Sequence, residues 1–255
     1  MQSLWHEEHG GGAPVLLLLH GLGATGEVWR GVADLATGWP GTRLLVDLPG
    51  HGRSATLPAY SYEAHASAVA ALLDGRPDPV VVAGHSMGGY VGLLLAGEGY
   101  GLVVAAVVGL GIKVRWSAED LEGMRRRAGQ PVRWFDTREE AAARYLRSVG
   151  LDGVVEPGSP VVASGVAESG SRWRLAFDPA AFGLGAPDMA GALAAARAAV
   201  VLARGAGDPM VGTADLAVLH SHVRELPGLG HNAHVEDPAA VWDLVAATAR
   251  DAGVG

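Results

Sequence analysis

The chain has 255 residues, 49% hydrophobic and 18% charged, a balance that suits one large α/β domain or two small ones and argues against wholesale disorder. Its 19 basic and 27 acidic residues give a net charge of −8, which disfavours nucleic acid as a partner, and the absence of cysteine excludes disulfides, thiolate metal sites and a cysteine nucleophile. The first nine residues lack the basic-then-apolar order of a secretory signal, and the longest apolar run, 102–112, is about half the length of a membrane span. The expectation is a cytoplasmic protein with no membrane partner.

In chain order, short apolar runs at 15–19, 44–48, 80–83, 102–112 and 199–203 are rich in Val and Leu and end in Gly, Pro, His or Asp. Such runs suit strands buried on both faces, as in a parallel sheet covered by helices. Helix-compatible stretches lie at 26–36, 62–73, 87–96, 213–219 and 238–250, and the alternation indicates an α/β fold. The alternation lapses over 113–186, where Arg and Trp become frequent and runs such as Arg125-Arg126-Arg127 and Arg138-Glu139-Glu140 read as exposed helix. That stretch holds 11 basic and 10 acidic residues, whereas the remainder is net −9. The reading is a core made of residues 1–112 and 187–255, with a helical cap, 113–186, inserted over one end of the sheet.

Gly84-His85-Ser86-Met87-Gly88 is a G-x-S-x-G pattern, weak alone but placed directly after the strand-like 79–83 and before a helix-compatible stretch. In a strand–turn–helix setting, a strained serine projects its hydroxyl above the sheet, and neighbours without a Cβ let strand and helix approach closely. The new helix also turns its N-terminal N–H groups toward a developing anion. Ser86 is thereby the candidate nucleophile, against the alternative of a structural serine in a tight turn.

Three further motifs accompany it. They are residues 15–23, ending His20-Gly21-Leu22-Gly23, with Trp29; Asp47-Leu48-Pro49-Gly50-His51-Gly52-Arg53-Ser54; and Gly230-His231 followed by Glu236-Asp237-Pro238. Together and in this order the four resemble the α/β-hydrolase superfamily, in its capped branch of carboxylesterases, C–C-bond hydrolases and haloperoxidase-like enzymes. The resemblance covers nearly the whole chain. It implies a mostly parallel sheet flanked by helices, with an oxyanion loop after the first buried strand and a terminal histidine loop. Only about fourteen residues precede that strand, so the family's leading hairpin must be short or frayed.

A serine hydroxyl needs an adjacent base near neutral pH. Of ten histidines, His20 and His51 sit in turn motifs, His85 neighbours the serine, His220 and His222 flank a late strand, and His6 and His9 lie near the start without zinc-helix spacing. His231, in a Gly-rich loop, satisfies the order Ser…Asp…His, with His234 as the nearest competitor. Asp208, after the run 199–203, is the carboxylate to orient it. The other position used in the family reads Gly109-Leu110-Gly111, while Asp237 reads as a helix cap and Asp47 as a structural turn. By resemblance, the backbone N–H groups of Leu22 and Met87 form the oxyanion hole.

Trp116, Trp134 and Trp173 are candidate substrate contacts, as are Arg172 and Arg174, whereas Arg125–Arg127 and Arg138–Arg147 are interleaved with acids as on a solvated face. The resulting reading is a serine hydrolase cleaving a small carboxylic ester through an acyl-enzyme. No cofactor and no metal is required, the partner is a small-molecule substrate, and the state is monomer or homodimer. C–C-bond hydrolysis of a diketone or vinylogous ketone is the main alternative, and a slow receptor-like binder is the second.

Overall fold

The computed structural model describes residues 4–76 and 78–254. In chain order its first elements are β1 (His6–His9), β2 (Val15–Leu19), α1 (Arg30–Leu35), β3 (Thr42–Val46), α2 (Tyr62–Leu72), β4 (Val80–His85), α3 (Met87–Leu95) and β5 (Val104–Leu110). There follow α4 (Ala118–Ala128), β6 (Trp134–Phe135), α5 (Arg138–Val149), α6 (Pro160–Gly165), β7 (Val166–Ser169) and β8 (Arg172–Leu175). The last are α7 (Met189–Ala195), β9 (Ala199–Gly205), α8 (Thr213–Leu219), β10 (Val223–Leu226), α9 (Ala233–Glu236) and α10 (Pro238–Asp251).

Seven strands make one sheet in the order β1-β3-β2-β4-β5-β9-β10, parallel throughout except for β1 on β3. The unbroken apolar runs follow from burial on both faces. Along β2, Leu16 and Leu18 pack with Val32 of α1 and with Val241 and Val245 of α10, whereas Val15, Leu17 and Leu19 pack with Val69 of α2 and Val91 of α3. Strand β3 stops at Val46, short of the apolar run, because the Asp47 carboxylate accepts from the backbone N–H groups of Gly26 at 2.8 Å and Arg53 at 3.0 Å and turns the chain. The segment before β2 contributes one short edge strand instead of a hairpin, and its polar His-Glu-Glu-His sequence carried no apolar signal.

Residues 113–186 lie between β5 and the last part of the sheet. They are not all-helical as expected: α5 and α6 pack on a three-stranded antiparallel sheet in the order β6-β8-β7, and α4 packs on the 3-10 turn at Pro179–Leu184. The alternation Arg172-Trp173-Arg174-Leu175 is the two-residue period of a strand, with Arg172 exposed and its successors half-buried. The expected helices do form. Ser117 and Asp120 make a reciprocal capping box at α4, Thr137 caps α5, and Gly150 at φ +71° ends it.

This segment is fastened to loops that leave the C-terminal ends of the strands. Thr25 Oγ1 lies 2.6 Å from Ser164 Oγ, Gly52 N–H donates to the Ala176 carbonyl at 2.7 Å, and Asp178 N–H donates to Gly50 at 2.8 Å. Asn232 Nδ2 donates to the carbonyls of Val149 and Gly150 at 3.0 and 3.1 Å. The buried face of α5, Ala141, Ala142, Tyr145 and Leu146, joins the apolar cluster beneath it. None of the helices among the described residues is long and apolar enough to cross a membrane.

Candidate active site

Ser86 joins β4 to α3 with φ +50° and ψ −113°, and it is the one non-glycine residue with positive φ among the described residues. A side chain rarely adopts that backbone, so the surrounding packing must hold it. Two glycines do so. A Cβ on Gly84 would lie 2.4 Å from the Gly88 carbonyl oxygen, and one on Gly88 would lie 2.4 Å from that of Leu19. The start of α3 is thereby pressed against the end of β2, beside the loop that carries Leu22.

That loop approaches the serine closely, since a Cβ on Gly21 would meet Ser86 Cβ at 3.3 Å and His85 Nδ1 at 2.8 Å. His20 fixes the loop from below: Nδ1–H donates to the Gly21 carbonyl at 2.8 Å, and Nε2 accepts from Leu48 N–H at 2.8 Å. Among the described residues the backbone N–H groups of Leu22 and Met87 donate to no protein acceptor. Two unsatisfied donors beside a serine are what an oxyanion needs.

His231 Nδ1–H donates to Asp208 Oδ2 at 2.8 Å, and the Asp208 side chain is fully buried. The bond fixes the tautomer and leaves Nε2 with its lone pair. The imidazole stands against the serine turn, its ring centroid 4.6 Å from that of His85. Ser86 Oγ and His231 form no hydrogen bond among the described residues.

Several residues that support this arrangement carried no recognisable signal in the sequence. Glu236 accepts from Gly230 N–H at 2.5 Å and Asn232 N–H at 3.1 Å, bracketing His231 on both sides. His85 Nε2–H donates to the His231 carbonyl at 3.0 Å. Arg204 donates to the Asp208 carbonyl at 3.0 Å and to that of Ala206 at 2.9 Å, and Asp208 Oδ1 accepts from Met210 N–H at 2.8 Å. Of these, Glu236 and His85 stood in motifs, and their bonds appear once the histidine loop closes on the serine turn. Glu236→Ala is expected to lower kcat about tenfold or more with KM little changed, because a small displacement of the base is costly. Glu236→Gln, which keeps one acceptor oxygen, should recover part of the loss. A wild-type kcat in the alanine variant would remove Glu236 as a positioning residue.

The other histidines are structural. His234 is sandwiched between Trp29 and His85, at centroid distances of 4.5 and 4.4 Å, and its two nitrogens have no partner. Burial holds His20 down to about 4, His51, His65 and His234 to about 3, and His85 well below the usual histidine value. These groups are neutral when folded and take up protons when unfolded. Their contribution to stability is therefore complete above pH ~6.5 and shrinks as pH falls toward 3–4, by up to ~1.4 kcal/mol per pH unit for each. Urea midpoints should drop steeply between about pH 7 and pH 5; equal midpoints would contradict this assignment. Among the described residues no group of three or more His, Asp or Glu is placed to hold a metal ion.

A cavity of about 490 Å³ reaches Leu22 and Gly23, and its other walls come from the inserted segment, among them Phe135, Phe177 and Phe182. None of the five expected substrate contacts lines it. Trp116 donates its indole N–H to the Lys113 carbonyl at 2.9 Å, Trp173 packs on the apolar cluster, and Arg174 donates to the Leu175 carbonyl at 3.0 Å. Trp134 and Arg172 line an adjoining depression of about 370 Å³, which shares Arg133, Phe135 and Arg147 with the cavity and also holds Asp136 and Glu140. The cavity's cations are instead Arg127, Arg133, Arg144 and Arg147.

A parallel sheet bearing a strained serine at a strand–helix turn, with a histidine–aspartate pair beside it, defines the class, and the match to the alpha/beta hydrolase family over residues 16–244 agrees: the chain belongs to that family. Similar curated proteins include the lipase LipV of Mycobacterium tuberculosis, 40% identical over 94 residues, which cover 36% of this chain and 35% of that protein. A pimeloyl-[acyl-carrier protein] methyl ester esterase of Salmonella newport is 38% identical over 96 residues, 38% of this chain and 36% of the relative. The chain thus matches little more than a third of either relative's length. Among solved structures, E-2-(acetamidomethylene)succinate hydrolase superposes with a TM-score of 0.82 at 21% identity, covering 97% of this chain and 95% of that one. An M. tuberculosis esterase superposes with a TM-score of 0.75 at 22% identity, covering 96% and 91%. These structures share the fold.

Proposed function

We propose that the protein is a serine hydrolase that cleaves a carboxylic ester through an acyl-enzyme. The observation that carries this reading is Ser86 held at φ +50° beside a His231–Asp208 pair bonded at 2.8 Å. The similarity to a lipase and a methyl ester esterase supports it. Ser86 Oγ attacks the ester carbonyl carbon as its proton passes to His231 Nε2, and Asp208 stabilises the imidazolium. The N–H groups of Leu22 and Met87 bond the oxyanion. Collapse of the tetrahedral intermediate breaks the C–O bond, and His231 returns the proton to the departing alkoxide. Water, deprotonated in turn by His231, attacks the acyl-enzyme, releasing the acid and regenerating Ser86.

Residues 113–186 act as a cap in this reading, since they roof the loops carrying Leu22 and Asn232. The cysteine-free, acidic composition suits a cytoplasmic setting. The test is turnover of short-chain aryl esters: many equivalents of alcohol released per protein, in proportion to time, are expected. A single equivalent followed by arrest would favour a slow receptor-like binder.

A further inference from the structure

The cavity beside Leu22 has four arginines in its walls and no Asp or Glu. The arginines of the inserted segment differ in their partners. Arg125 and Arg126 lie 3.0 and 3.8 Å from Glu122, and Arg172 lies 3.8 Å from Asp136. Among the described residues, Arg127, Arg133, Arg138, Arg144, Arg147 and Arg174 have no carboxylate within 4.0 Å, and four of these six, Arg127, Arg133, Arg144 and Arg147, line the cavity. They come from three places: the last turn of α4, the strand entry at Arg133, and the second half of α5.

All four are exposed, so water screens much of their mutual repulsion, and an anion held among them would offset the rest. Aromatic rings steady two of them, with the Arg127 guanidinium 5.6 Å from the Phe182 ring centroid and that of Arg133 5.0 Å from Phe135. Planar guanidiniums present paired N–H donors that match a carboxylate or a phosphate. Phe177 and Leu175 supply an apolar flank, and the cavity ends at the loop whose Leu22 N–H is unsatisfied.

We propose that this cavity is a subsite for an oxyanion, carboxylate or phosphate, carried by the substrate at the end remote from the bond cleaved. An apolar spacer runs past Phe177 and Leu22 and places the ester carbonyl at Ser86. The assignment of the bond rests on the serine-hydrolase reading; anion binding does not.

The test separates the two. Calorimetry on Ser86→Ala, which keeps the cavity, compares monoethyl adipate, ethyl 4-phosphonooxybutanoate and neutral diethyl adipate. One of the two anionic esters should bind at least about tenfold tighter than the neutral one, and the preferred member identifies the head group. The gap should close in the further variant Arg144→Gln/Arg147→Gln and narrow as salt rises from about 50 to about 500 mM. Arg125→Gln/Arg126→Gln, outside the cavity, should preserve it. Equal binding of charged and neutral esters, or a gap that survives loss of Arg144 and Arg147, overturns the proposal. Tight anion binding in a protein whose wild type hydrolyses no ester would keep the subsite and sink the hydrolase reading.

Discussion

Ser86→Ala is expected to lower ester turnover about 10⁴-fold or more while the protein stays folded, because the nucleophile is lost and only the oxyanion donors and binding remain. Alanine inherits the strained φ of +50° at this position, so it should bring no gain in stability. Ser86→Gly is the informative companion. Glycine adopts positive φ without penalty, and the variant should be equally inactive yet more resistant to urea than Ser86→Ala. Activity near wild type in either variant would remove Ser86 from the mechanism. An alanine variant more stable than the glycine variant would mean that the turn is not strained.

The second large effect concerns the acid. Asp208→Asn should cost about 10³–10⁴-fold in kcat, since an amide lets His231 adopt the tautomer that protonates Nε2, the nitrogen that must accept the serine proton. Asp237→Asn should change kcat little. Asp237 Oδ1 accepts from the N–H groups of Ala239 and Ala240 at the start of α10, and asparagine caps a helix equally well. The reverse order of effects would assign the orienting carboxylate to Asp237.

The core was legible because its strands are buried on both faces, which leaves runs such as Val15–Leu19 with no polar residue to interrupt them. Ser86 and Asp208 stand out for a related reason, since each is a polar residue set among glycines after a buried strand. His231 instead follows the half-buried β10 and stands out by its Gly-rich loop and its place in the order Ser…Asp…His. Elements with weaker signals escaped. Edge strand β1 is polar, and the Ala-rich α7 has little periodicity beyond its Asp188 cap. The strands of the inserted sheet are only two to four residues long.

The arginine cavity was illegible for a different reason. Arg127, Arg144 and Arg147 are interleaved with glutamates along α4 and α5, a pattern that fits a solvated face. Which guanidinium meets a carboxylate and which turns to the cavity depends on how α4, α5 and the 3-10 turn at Pro179–Leu184 pack together. Sequence adjacency favoured Arg172 and Arg174, and pairing across β6, β7 and β8 directs them elsewhere.

The central claim is an activated serine at position 86 beside a competent histidine. Intact-mass analysis after fluorophosphonate treatment, with peptide mapping, tests it most directly. The account predicts one adduct per chain, carried by Ser86, lost in Ser86→Ala and formed much more slowly in Asp208→Asn. A folded protein that takes up no label, or takes it up at another residue, would contradict it.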